Sequence, residues 1–341
     1  MNATPAPASP ASPGAAGPPA LGGRDYLRLV LIGLAIGIPS ALAAMLFQWL
    51  VHELESLLWT SLPEALGLDA PPWYLLLGLP VVGALIVWFA RTRLPGDGGH
   101  EPLAGVGGGA MPLAYAPSVI LAALGSLPFG AVLGPEAPLI AIGGFVGMIA
   151  VRMWKVATPG DAVLSTAGSF SAVGALFGGP LVAGVLLLEV GIAAGAMLIP
   201  VLIPGLVASA VGYLIIVGIG SWSGVPTASL SVPGLPAYPN ARIVDLVVAV
   251  VAGVVIALLM RAVRMGAFRV RDLRGRIGVG PLLIAGGLAA GAIAAVVGEL
   301  GGAYQDVLFS GQTALPNLVQ MDGDLGFVAL VTAGKVLAYA I

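Results

Sequence analysis

Long apolar runs, closed by glycine, proline or clustered charge, dominate the chain and predict membrane helices rather than strands. The first run covers 26–58, is entered past Arg24 and Arg28, and contains Pro39, a residue that kinks helices. A second covers 73–90 and ends on Arg91 and Arg93. Between them, 60–72 carries Glu64 and Asp69 but no lysine or arginine, and reads as a loop. Placing the cationic ends in the cytoplasm puts the N-terminus inside and 60–72 outside.

From 94 to 190 the apolar pieces shorten. They are broken by Pro95-Gly96-Asp97-Gly98-Gly99, Gly107-Gly108-Gly109, Gly134-Pro135-Glu136-Ala137-Pro138 and Phe177-Gly178-Gly179-Pro180. Several are too short to cross a hydrocarbon core about 30 Å thick, so half-helices meeting inside the membrane are expected. Beyond a span at 197–219 and a Pro/Ser/Gly loop at 220–240, the run from Asp245 to Met260 leads into a cationic segment. Its arginines, Arg261, Arg264, Arg269, Arg271, Arg274 and Arg276, read as a cytoplasmic loop. Further apolar segments cover 279–298, 303–320 and 325–341. The last stops at Ile341 without a polar tail, the pattern of a chain cut within a longer protein.

Composition identifies the solvent. Hydrophobic residues make up 58% of the chain and charged residues 9%, with a mean hydropathy of +1.03. A soluble domain carries roughly 25% charge, so lipid must cover most of this surface. The 51 glycines and 28 prolines suit closely packed helices and helices broken beside a protected cavity. A net charge of −2 excludes an electrostatic nucleic-acid binder. Without cysteine there are no disulfides or thiolate ligands, and His52 and His100 are too far apart for metal-ligand spacing. No cofactor or metal is expected. Residues 1–23, rich in Ala, Pro and Gly, read as a disordered tail without the features of a secretory signal.

Among the acids, Glu136 stands out. It precedes the apolar run Leu139-Ile140-Ala141-Ile142-Gly143-Gly144, and Pro138 suits a first helical turn. This arrangement aims a helix N-terminus, with free N–H groups and a positive dipole end, at whatever lies beside Glu136. It would form an anion site with a carboxylate at its mouth; a carboxylate that only stabilises its own helix is the plainer reading. Gly98-Gly99-His100-Glu101-Pro102 is a second turn whose N–H groups could face an anion, or simply a surface loop. Glu189 ends the apolar helix 180–189, and Lys335 sits within an apolar segment where snorkelling or pairing accounts for it.

Gly-x-Glu-x-Pro, followed by an apolar run and two glycines, resembles the Gly-Arg-Glu-Gly-Pro signature of the CLC chloride channels and proton-coupled chloride antiporters. Other pieces follow in that family's order. Gly98–Pro102 falls at Gly-Ser-Gly-Ile-Pro, Phe177-Gly178-Gly179-Pro180 resembles Phe-Asn-Ala-Pro with its helix ending in Glu, and Gly301-Gly302-Ala303-Tyr304 resembles a later glycine turn. The resemblance covers 26–341. It implies an all-α, polytopic membrane protein with broken or re-entrant helices and an inverted-topology repeat: a first repeat at 26–190 and an incomplete second at 242–341, within a transmembrane domain of 24–341.

The same resemblance implies a homodimeric, multi-pass cell-membrane protein that carries chloride and is not an enzyme. Glu136 would be the gate, backbone N–H groups of Gly98, Gly99, His100, Ala137 and Leu139 the anion donors, and Glu189 a proton route. The departures are specific. Gly99 replaces the family's central-site serine, Pro135 and Ala137 replace the residues flanking the gating Glu, and Val190 falls where many antiporters carry an inner acid. A third signature is absent from the chain. Channel and antiporter remain alternatives, as does a broken-helix transporter for another substrate. An intramembrane enzyme is disfavoured, since neither histidine has a serine or carboxylate companion at helical spacing.

Overall fold

The computed structural model describes residues 22–99, 110–191, 198–223, 240, 242–312, 314–315, 318 and 325–340, and among these there is no strand. The expected N-terminal tail, the Gly107-Gly108-Gly109 break and most of the 220–240 loop lie outside the described residues. Among the described residues, six helices are long and apolar enough to cross a membrane. The molecule is an all-α, polytopic membrane protein.

Helix α1 (Gly23–Ser56) carries Pro39 inside it and runs on through a π turn, Leu57–Ser61, and a last turn, Leu62–Ala65. The loop expected at 60–72 therefore starts later than the charges implied. Pro63 has no N–H and its ring would crowd the carbonyl four residues back; widening to the Leu62 N–H to Leu57 carbonyl bond lets the helix pass through. Helix α2 (Trp73–Arg93) matches its expected span. Then come the short pieces: α3 (Ala116–Ser126), only about 16 Å long at 1.5 Å per residue, α4 (Glu136–Trp154), α5 (Gly160–Leu176) and α6 (Pro180–Gly191). Helix α7 (Leu198–Ser223) completes this half.

Helix α5 is the axis of the first half, buried along most of its length against α1, α4 and α7. Such close approach requires small residues, because lipid offers no hydrophobic drive for helix association. A Cβ on Gly143 would overlap the Gly168 carbonyl, and one on Gly147 would overlap the Leu164 carbonyl. Hydroxyl groups lock the crossings: Ser169 Oγ donates to the Ile140 carbonyl at 2.8 Å, and Ser171 Oγ to the Gly37 carbonyl at 2.6 Å.

Helix α8 (Ile243–Ile277) overturns the expected cationic loop: the helix continues without a break through all six arginines and ends at Gly278, φ 81°. Arginine is a good helix former and no proline intervenes before Pro281. Helix α9 (Val279–Glu299) packs on α2. Pro80 cannot donate to the Leu76 carbonyl four residues back, and at that carbonyl Gly291 brings α9 so close that a Cβ would overlap it. The apolar segment at 303–320 is no span. Its described part opens with one helical turn, α10 (Tyr304–Val307), breaks at Phe309, φ 61°, and Gly311, φ 85°, and is helical again at Leu315 and Leu318. Helix α11 (Leu325–Ala340) follows. Lys335 Nζ, half-buried on α11, donates to the carbonyls of Val307, Leu308 and Phe309 at 3.1–3.3 Å. It thus pairs with the carbonyl end of α10 rather than snorkelling.

Candidate functional site

Two breaks converge on α3, which packs against both α2 and α4. The first follows α2. Gly96, Gly98 and Gly99 have φ of 91°, 76° and 110°, values that favour glycine. Ser118, fully buried on α3, ties this turn down: the Gly98 N–H donates to Ser118 Oγ at 3.1 Å, and Ser118 Oγ donates to the Ala90 carbonyl at 3.2 Å. The Gly98 N–H, an expected anion donor, is thus engaged by Ser118 in this structure. Gly99 faces Val119, with room for ordinary side-chain contact. Arg91, expected only as a topological marker, runs its stem beneath Gly98 and reaches Asp97 at 3.8 Å. His100 lies outside the described residues.

The second break leads into α4. Pro135 caps it at φ −76°, ψ −1°, and Glu136 opens the helix. The first turn closes when the Leu139 N–H donates to the Pro135 carbonyl at 3.0 Å. Leu139 is fully buried, and its N–H, another expected anion donor, is engaged by that bond. The N–H of Ala137 precedes that bond, and Pro138 has none. The Glu136 side chain is half-buried and folds back over its own turn, so that a Cβ on Gly134 would collide with the carboxyl group. Among the described residues no lysine or arginine is ion-paired with Glu136.

Gly99 and Glu136 share α3 as a neighbouring element, but no described contact joins them. A wholly apolar cleft of about 320 Å³ lies between α9 and α11, and a mixed one of about 230 Å³, with Glu64 and Asp69 in its lining, lies beside Trp59 and Tyr304; Glu136 lines neither. Glu189 falls on α6, with its side chain outside the described residues. Ser118 and Arg91 are the residues that sequence reasoning missed. A serine at the start of an apolar helix carries no motif, and an arginine at a helix end has a sufficient topological explanation.

The family model for voltage-gated chloride channels matches residues 82–341, which takes in both breaks. The chain belongs to that family. Among similar members, YfeO, a candidate ion-transport protein of Escherichia coli O6:H1, is 33% identical over 171 residues, 48% of this chain and 39% of YfeO. Its counterpart in Escherichia coli O1:K1 is 32% identical over the same shares. The aligned region thus spans about two fifths of the length of these relatives. A crystal structure of a slow cyanobacterial Cl⁻/H⁺ antiporter superposes with a TM-score of 0.71, covering 92% of this chain and 73% of that one at 17% identity. The CLC fold is therefore shared, broken helices included.

Proposed function

We propose that the protein conducts chloride or a related small anion across the membrane, with Glu136 as the gate. The observation that carries this reading is the Glu136 carboxyl group, half-buried at the N-terminus of α4 with no cationic partner among the described residues. A carboxylate there competes with a mobile anion for the N-terminal N–H groups and the positive end of the helix dipole. Protonation removes the charge and lets the side chain leave. Among the described residues, the donors left for an anion are the N–H groups of Ala137 and Gly99. Partial charges of this kind bind an anion weakly enough to release it.

Passive conduction is favoured over proton exchange, because apolar Val190 stands where a relay would need a second protonatable group. On this reading the N-terminus is cytoplasmic and the transporter is a homodimer, each subunit with a first repeat at 26–190 and an incomplete second at 242–341. Clustered cations support this orientation: Arg24 and Arg28 open α1, Arg152 and Lys155 close α4, and Arg28 donates to the Trp154 carbonyl at 3.0 Å.

The test is ion flux in liposomes under opposed gradients. A chloride gradient should drive charge movement, an equal cation gradient should not, and the chloride gradient should move few protons uphill. Cation-driven current would refute anion conduction. Strong uphill proton pumping that persists in Glu189→Gln would point to coupled exchange through another relay.

A further inference from the structure

Helix α8 packs chiefly on α9 and α11, not on α3 or α4, the helices beside the two breaks. The apolar stretch of this helix, Ile243–Met260, is about 27 Å long at 1.5 Å per residue, close to a hydrocarbon core of about 30 Å. No residue of its apolar window is buried by the described residues, which leaves it open to lipid. Arg261 then falls where the hydrocarbon ends and the phosphates begin. Because the helix continues unbroken, its arginines are held on a rigid rod that leaves the bilayer at headgroup depth.

Arg261, Arg264, Phe268 and Arg271 fall within one narrow face of that rod, at spacings of three, four and three residues. The Phe268 ring holds two of the cations: the Arg264 guanidinium carbon lies 5.5 Å from its centroid and that of Arg271 lies 4.7 Å away. All three arginines are exposed, and the ion pair from Arg271 to Asp272, at 3.8 Å, is long and open to solvent. Arg269 and Arg276 lie more than about 100° around the helix from Arg264 and Arg271. The positive-inside rule accounts for the number of cations but not for two guanidinium groups set on a single ring.

We propose that this face is a binding site for the phosphate headgroup of an anionic membrane lipid, with Arg264 and Arg271 clasping the phosphate and Arg261 flanking it. Guanidinium suits the task because its planar fork can meet phosphate oxygens two at a time and also stack on an aromatic ring. The lipid is placed there by the span itself, with its tails against the exposed apolar half of α8.

The test uses the protein in phosphatidylcholine vesicles with trace spin-labelled phosphatidylglycerol or phosphatidylcholine, reading the motionally restricted fraction of each. The parent protein should prefer phosphatidylglycerol. Arg264→Gln with Arg271→Gln should lower that preference by about fivefold per arginine, and Arg269→Gln with Arg276→Gln should lower it much less. A lysine pair at 264 and 271, which preserves charge and topology, should still lose a measurable part of the preference. An equal loss from both glutamine pairs, no loss from the lysine pair, or no preference in the parent would overturn the site. So would displacement of the labelled lipid by inorganic phosphate, since the ligand would then be a soluble anion.

Discussion

A carboxyl group folded over a glycine is sensitive to one methyl group. Gly134 has no positive φ, so alanine suits its backbone, and the conflict lies only with the Glu136 carboxyl group. Gly134→Ala should expel that group from its turn and open the anion path. Chloride flux should then depend less on external pH while the fold is retained; an unchanged profile would show that the carboxyl group does not rest there during transport. Ser118 offers a second test at this scale. Ser118→Ala would leave the Gly98 N–H without its acceptor in a part-buried turn, a loss of about 1–3 kcal/mol. The expected outcome is a lower thermal unfolding midpoint and an altered ratio of chloride to nitrate flux, both measurable on one preparation. A change in stability alone would leave Ser118 as a structural strut.

Among elements, the contact between α2 and α9 joins distant parts of the described chain through bare backbone. The Leu76 carbonyl, left without a helical donor by Pro80, faces Gly291 with no space for a side chain. Gly291→Val should force the helices apart and reduce the yield of folded protein severely, whereas Gly298→Val on the same helix, with nothing near its Cβ, should be tolerated. Size-exclusion profiles in detergent would distinguish the two. Equal behaviour would mean that this crossing is not tight in the membrane.

For the whole molecule, the fold was legible where hydropathy and length agreed: α2, α7 and α9 fall almost on their expected runs. It was illegible where one property was read without the other. The 303–320 segment is apolar, but glycines and a left-handed Phe309 stop its helix after one turn. The cationic segment is polar, yet arginine sustains a helix as well as leucine does, so α8 runs through it. At the site, the turns announced themselves through glycine and proline, and Glu136 through its position before an apolar run. Which N–H groups those turns leave free depends on Ser118 and Pro135 as acceptors, and partners so placed leave no mark on local sequence.

The central claim is that protonation of Glu136 opens an anion path, and chloride flux from acidic to neutral external pH, compared between the parent protein and Glu136→Gln, tests it most directly. Glutamine mimics the protonated side chain at nearly the same volume, so flux should persist at every pH and lose its pH dependence. If Glu136→Gln keeps the parent's pH profile, Glu136 only stabilises the start of α4, and the gate is another residue.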